Sequence, residues 1–168
     1  FRSLQGETSL SGIPFTFIRL TGCNLRCTYC DSAYAFKGGE RKTLHEILEI
    51  TQKLGEKHVL LTGGEPLLQR NTLKLVELLN ANGFKVSIET HGEISIEKAS
   101  ALARIVMDIK TPSSKMSRGG YAKNLVFLKP EDEIKFVIAS QEDYFWAKRI
   151  VQSELIGKTR AREILFSP

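Results

Sequence analysis

With 168 residues and 42% hydrophobic content the chain is long enough to bury one core, and its net charge of +5 permits anionic ligands without requiring them. The densest basic runs, Glu40-Arg41-Lys42 and Lys158-Thr159-Arg160-Ala161-Arg162, have no aromatic residues alternating with them, so a nucleic-acid partner is not expected. No stretch approaches the roughly 20 apolar residues of a membrane span and no cleavable leader precedes the first strand, so the expectation is a soluble, cytoplasmic protein without a membrane partner.

In chain order, Phe15-Thr16-Phe17-Ile18-Arg19-Leu20 reads as a strand, followed by Thr43 capping a helix that carries Leu44, Ile47, Leu48 and Leu54. Val59-Leu60-Leu61-Thr62 reads as the next strand and ends in Gly63-Gly64; Leu73, Val76, Leu78 and Leu79 then lie at helical spacing before Gly83. Further strands are expected at 84–89, 105–109, 134–138 and 164–166, with an amphipathic helix from Tyr144 to Leu155 and a mobile loop over Ser113 to Gly120. Alternation of this kind argues for parallel βα units with right-handed crossovers. About six strands are too few for a closed eight-stranded barrel, so the fold class is α/β, a partial, open TIM-like β/α barrel forming one domain over 1–168. Because the sequence begins at Phe1 without Met and stops after an apolar run, both ends of that domain are expected to be incomplete.

Functional groups in such folds gather at the C-terminal ends of the strands, and the chain's chemistry is concentrated there. The three cysteines, Cys23, Cys27 and Cys30, have C-x3-C-x2-C spacing just after the first strand. Three clustered thiols make no even disulfide framework, and in a cytosolic chain they more often bind metal. Iron–sulfur clusters usually take four cysteines; three leave one iron open to a small molecule. A structural zinc site or three inert thiols are the alternatives, but His45 and His58 do not stand at ligand spacing. Gly63-Gly64-Glu65-Pro66 on its own is a common strand-to-helix turn; its glycines allow close backbone approach to a ligand and Glu65 offers a carboxylate to an ammonium.

Cys23-x3-Cys27-x2-Cys30 together with Gly63-Gly64-Glu65-Pro66 resembles the radical S-adenosylmethionine superfamily. More narrowly, Phe1-Arg2-Ser3-Leu4-Gln5-Gly6-Glu7, Phe17 to Cys27, Cys30-Asp31-Ser32, Glu89-Thr90-His91-Gly92, Asp108 to Ser114 and Lys135 to Ile138 resemble 7-carboxy-7-deazaguanine synthases almost end to end. The resemblance implies a carbon–nitrogen lyase that converts 6-carboxy-5,6,7,8-tetrahydropterin into 7-carboxy-7-deazaguanine with loss of ammonia, on the way to queuosine and other 7-deazapurines. It implies a [4Fe-4S] cluster on Cys23, Cys27 and Cys30, S-adenosylmethionine, Mg²⁺, an external flavodoxin-like or ferredoxin-like one-electron reductant, and a homodimer.

Carried over by position, the resemblance assigns Gln5, Gly6, Glu7, Arg19 and Thr62 to the pterin. It assigns Gly63, Gly64, Glu65, Glu89, Thr90, Ser113, Lys135 and Ser140 to S-adenosylmethionine, and Ser32 to Mg²⁺ where the family usually has Thr. Gln and Glu complement the donors and acceptors of a pterin edge, Arg19 can grip a carboxylate with two prongs, and Asp31 is a further hard oxygen donor. Read as residues alone, 5–7 is a polar loop, Arg19 a structural ion pair, and the strand-end residues ordinary caps. His91 reads as a solvated loop histidine and is given no catalytic role. Two other functions compete: a glycyl-radical activase, which would not need Leu4 to Glu7 or Cys30-Asp31-Ser32, and a non-catalytic iron–sulfur or zinc module, which would need a fourth protein ligand.

Overall fold

The computed structural model describes residues Phe1–Pro168. One sheet of seven strands holds them in sequence order: β1 (Arg2–Leu4), β2 (Pro14–Leu20), β3 (His58–Gly63), β4 (Lys85–Thr90), β5 (Arg104–Asp108), β6 (Glu133–Val137) and β7 (Glu163–Ser167). Strands β2 to β7 are all parallel and β1 runs antiparallel on β2, so the sheet stays open, with β1 and β7 as its edges. All six sequence-read strands are present within a residue or two of their expected bounds. The antiparallel β1 is an addition to them, because three exposed residues carry no burial alternation to read.

Helices α1 (Leu44–Leu54), α2 (Thr72–Ala81), the single turn α3 (Glu97–Ser100) and α4 (Gln141–Ile150) fill the crossovers. Helix α1 starts in a full capping box, in which the Thr43 hydroxyl accepts from Glu46 N–H and the Glu46 carboxylate accepts from Thr43 N–H, and it stops at Gly55 with a φ of +77°. The expected 144–155 helix begins earlier, at Ser140, whose hydroxyl accepts from Asp143 N–H, and its last part, Val151–Leu155, widens into a π-helical turn. The segment expected to be a mobile loop is built at both ends, by a turn over Pro112–Ser114 and a 3₁₀ helix from Gly120 to Phe127.

Alternation along the strands sorts the residues onto two faces. Val59 and Leu61, Val86 and Ile88, Ile105 and Met107, and Ile134 and Phe136 join Leu75, Val76 and Leu79 of α2 and Ala147 and Ile150 of α4 in one apolar core. The intervening residues Thr62, Glu89, Asp108, Lys135 and Val137 point the other way and line a cavity. The 5–13 connection from β1 to β2 lies over that second face: Ser9 N–H donates to the Glu133 carboxylate at 3.0 Å, and Glu7 meets Lys135 at 2.6 Å, two residues farther along β6.

Candidate active site

The cavity, of about 520 Å³, is bounded by the 5–7 loop, the cysteine loop and the strand ends. All three cysteines line it as free thiols of intermediate exposure. Backbone bonds shape their loop: Gly22 N–H donates to Ala35 C=O at 2.8 Å, Thr28 N–H to Ser114 C=O at 3.1 Å and Cys30 N–H to Cys27 C=O at 3.2 Å, with Leu25 as a buried plug only 1% exposed. No three His, Cys, Asp or Glu side chains converge closely enough to ligate a single ion. Three free thiols from one loop, all on the lining of one cavity, are a donor set that would hold an iron–sulfur cluster with one iron left open. Burial pushes the Cys27 thiol up, with the nearby Lys110 ammonium acting against it.

The Gly-Gly turn presses against this loop. Glu65 N–H donates to Gly22 C=O at 2.8 Å, and Gly64 N–H to Leu20 C=O at 3.0 Å. A β-carbon on Gly64 would lie 2.1 Å from the Gly22 oxygen and 3.1 Å from Cys23 Cβ, and one on Gly63, whose φ is +146°, would lie 2.0 Å from the Leu20 oxygen. Only glycine fits at either position. Glu65 turns the opposite way: it is 1% exposed, and its carboxylate accepts from Leu67 N–H, Thr90 hydroxyl and His91 N–H at 2.9, 2.9 and 3.0 Å. Burial raises its pKa against the pull of those donors. Its side chain is a strut between the β3 and β4 loops, occupied with protein donors and absent from the cavity lining.

Charged groups make up the far wall. Lys135 lies between Glu7 (2.6 Å), Glu89 (2.5 Å) and Asp108 (3.5 Å), and Lys110 pairs with Asp108 at 2.9 Å. Burial alone would lower the Lys135 pKa, but the carboxylates of Glu89, Asp108 and Glu7 carry it well above the usual lysine value. Asp108 is ionised for the same reason, since Lys110 and Lys135 outweigh its burial, yet its Oδ1 has no partner. Across the cavity, Arg19 Nη1 donates to Ser32 Oγ at 2.9 Å, Ser32 Oγ donates to Asp31 Oδ1 at 2.7 Å, and Arg19 Nε has no partner. Arg19 and Asp108 both line the cavity, and each keeps one buried polar atom without a protein partner, as Thr16, Arg104 and Glu133 do elsewhere in the chain.

Residues 17–127 match the model of the Radical SAM superfamily. Among curated relatives, 7-carboxy-7-deazaguanine synthase of Koribacter versatilis is 43% identical over 100% of this chain and 75% of its own length. The synthase of Chlorobaculum tepidum is 38% identical over 100% and 77%. The chain belongs to the 7-carboxy-7-deazaguanine synthase family. The crystal structure of QueE from Escherichia coli superposes with a TM-score of 0.76 at 24% identity, covering 99% of this chain and 80% of that one, which shows the shared open-barrel fold. As a radical S-adenosylmethionine lyase of that family, the chain acts on a small molecule with an iron–sulfur cluster and S-adenosylmethionine, and no helix in it is long and apolar enough to cross a membrane.

Of the residues read from sequence, the synthase fold gathers Gln5, Gly6, Glu7, Arg19, the three cysteines, Ser32, Thr62, Gly63, Gly64, Glu89, Thr90 and Lys135 around the one cavity. Ser113 and Ser140 do not line it; their hydroxyls lie 3.2 Å apart and Asp143 bridges the two segments, accepting from Ser113 N–H and donating its own N–H to the Ser140 hydroxyl. Asp108, Lys110, Tyr29 and His91 also line the wall, none of them assigned a ligand from the sequence. The position of Asp108 at the end of β5 is the available signal for it, and its neighbour two residues on faces the same cavity. His91, read as solvated, is 6% exposed.

Proposed function

We propose that this chain carries out the family's ring contraction, 6-carboxy-5,6,7,8-tetrahydropterin to 7-carboxy-7-deazaguanine with release of ammonia, in the cavity between the cysteine loop and the β2–β6 strand ends. The observation that supports this most is that three free thiols, Arg19 and the Lys135–Glu89–Asp108 charge network all line one cavity.

When bound, the cluster on Cys23, Cys27 and Cys30 and S-adenosylmethionine supply the 5′-deoxyadenosyl radical that takes and returns a substrate hydrogen. The chain's own residues bind, orient and shield. Arg19 holds the pterin carboxylate through its free guanidinium edge. Gln5, whose Oε1 is engaged by Gly6 N–H at 2.8 Å, keeps its amide N–H groups for the pterin edge. Thr62 is fixed by its hydroxyl donating to Glu89 Oε2 at 3.2 Å, and so presents a constant surface to the ring. Gly63 and Gly64 let the adenosylmethionine lie against the backbone, with Glu89, Thr90 and Lys135 along its other side. The Lys135 ammonium moves no proton: three carboxylates hold it charged.

Mg²⁺ fits beside Ser32. Its hydroxyl oxygen and the Asp31 carboxylate are adjacent hard donors, and a substrate carboxylate on Arg19 would complete a partly hydrated site. An external flavodoxin-like or ferredoxin-like donor delivers the electron, and the enzyme works in the cytoplasm as a homodimer built on one domain. The test is an anaerobic assay of the reconstituted, reduced protein with S-adenosylmethionine, Mg²⁺ and the carboxytetrahydropterin. Deazaguanine formation supports the assignment, and adenosylmethionine cleavage without it removes the substrate reading.

A further inference from the structure

Between Cys23 and Cys27 the cysteine loop is held to the rest of the protein by a side-chain bond to His91, a cavity-lining residue given no part in holding cluster, adenosylmethionine or substrate. Asn24, exposed and next to Cys23, places Oδ1 2.8 Å from Nε2 of the buried His91. The tautomer follows from the other ring nitrogen: His91 Nδ1 accepts from Glu93 N–H at 3.0 Å, so Nε2 carries the hydrogen and donates it to Asn24. Nε2 also lies 3.2 Å from Glu65 Oε2, but His91 is neutral, so that approach is not an ion pair. His91 is itself fixed, because its N–H donates to the Glu65 carboxylate and the backbone of Glu65 is bonded to Gly22. A closed circuit therefore runs from Gly22 through Glu65 and His91 to Asn24, around the first cluster ligand.

We infer that His91 is a positioning residue that holds the Cys23 end of the loop, through Asn24, in the shape that receives the cluster. This rests on reading the three cysteines as cluster ligands. An imidazole bound on both nitrogens has one orientation, so it fixes Asn24 more narrowly than a solvated side chain would.

The test compares wild type with His91→Phe, Asn24→Ala and the double variant. In cluster-free, reduced protein, iodoacetamide alkylation of each cysteine is followed by peptide mass spectrometry, and in loaded protein the rate of iron release to a chelator is measured. Loss of one buried hydrogen bond corresponds to a faster alkylation of Cys23 and faster iron release by about five- to tenfold. The two single variants should match, and the double should be no worse than either, because both break the same bond. Asn24 is exposed, so Asn24→Ala keeps the comparison open even if His91→Phe folds poorly. A lowered melting temperature with unchanged alkylation and release rates would overturn the inference, as would effects that multiply in the double variant. Should the protein take up no iron at all, the cluster reading falls, while alkylation still decides whether His91 holds the loop.

Discussion

Lys135 shows how far a single residue's role departs from what its type suggests. The family resemblance makes it a contact for S-adenosylmethionine, and it lines the cavity, but its ammonium is committed to Glu7, Glu89 and Asp108. Lys135→Met would leave three carboxylates facing one another, and removing one partner of a buried pair costs about 3–5 kcal/mol; urea unfolding of the cluster-free protein should show a loss of that order. His91 gives a second prediction, in pH. Burial lowers its pKa to about 4 from the ordinary 6.5, so the unfolded chain takes up a proton at a pH where the folded one does not. The stability this contributes is complete above about pH 6.5 and is lost as pH falls towards 4, at up to about 1.4 kcal/mol per pH unit. The difference between the pH–stability curves of wild type and His91→Phe should show that slope in that window and be flat above it. At Ser32, whose hydroxyl oxygen already accepts from Arg19, Ser32→Ala should raise the Mg²⁺ concentration for half-maximal activity by about tenfold or more, with Ser32→Thr restoring it. The residues legible in the sequence are those whose chemistry is tied to spacing, the cysteines and glycines above all. Glu65, His91 and Asp108 are not legible there, because which way a strand-end side chain turns depends on partners contributed by other strands.

At the scale of elements, the strands can be read because six apolar runs recur between helical patterns, and the start of α1 because Thr43 is a capping residue; the start of α4 at its Ser140 cap lies before the apolar periodicity that begins at Tyr144. Strand β1 and the path of the 5–13 connection cannot, since nothing local records that Ser9 will meet Glu133 and Arg104. That anchor sits where β5 and β6 begin, while Gln5 to Glu7 serve the opposite end. Arg104→Met should loosen the connection, raising the KM for the pterin several-fold while leaving the KM for S-adenosylmethionine within about twofold, a split that steady-state kinetics resolves. The Gly-Gly turn is the stricter element. Because a β-carbon there would stand 2.1 Å from the Gly22 oxygen, Gly64→Ala must displace either its own turn or the cysteine loop. Iron content after reconstitution should fall below half that of wild type.

For the whole molecule, one sheet serves two purposes by parity. On β6, Ile134 and Phe136 belong to the apolar core, while Glu133, Lys135 and Val137 face the loop and cavity. The same division holds on β4, where Ile88 is core and Glu89 is wall, and on β5, where Met107 is core and Asp108 is wall. Stability and chemistry are thereby written on alternate letters of the same strands. Substitution on the wall letters can redraw what the cavity accepts while the helices keep their seating. A single-residue insertion at the start of β6 would transpose the two scripts, sending Lys135 among the helices and Phe136 into the site.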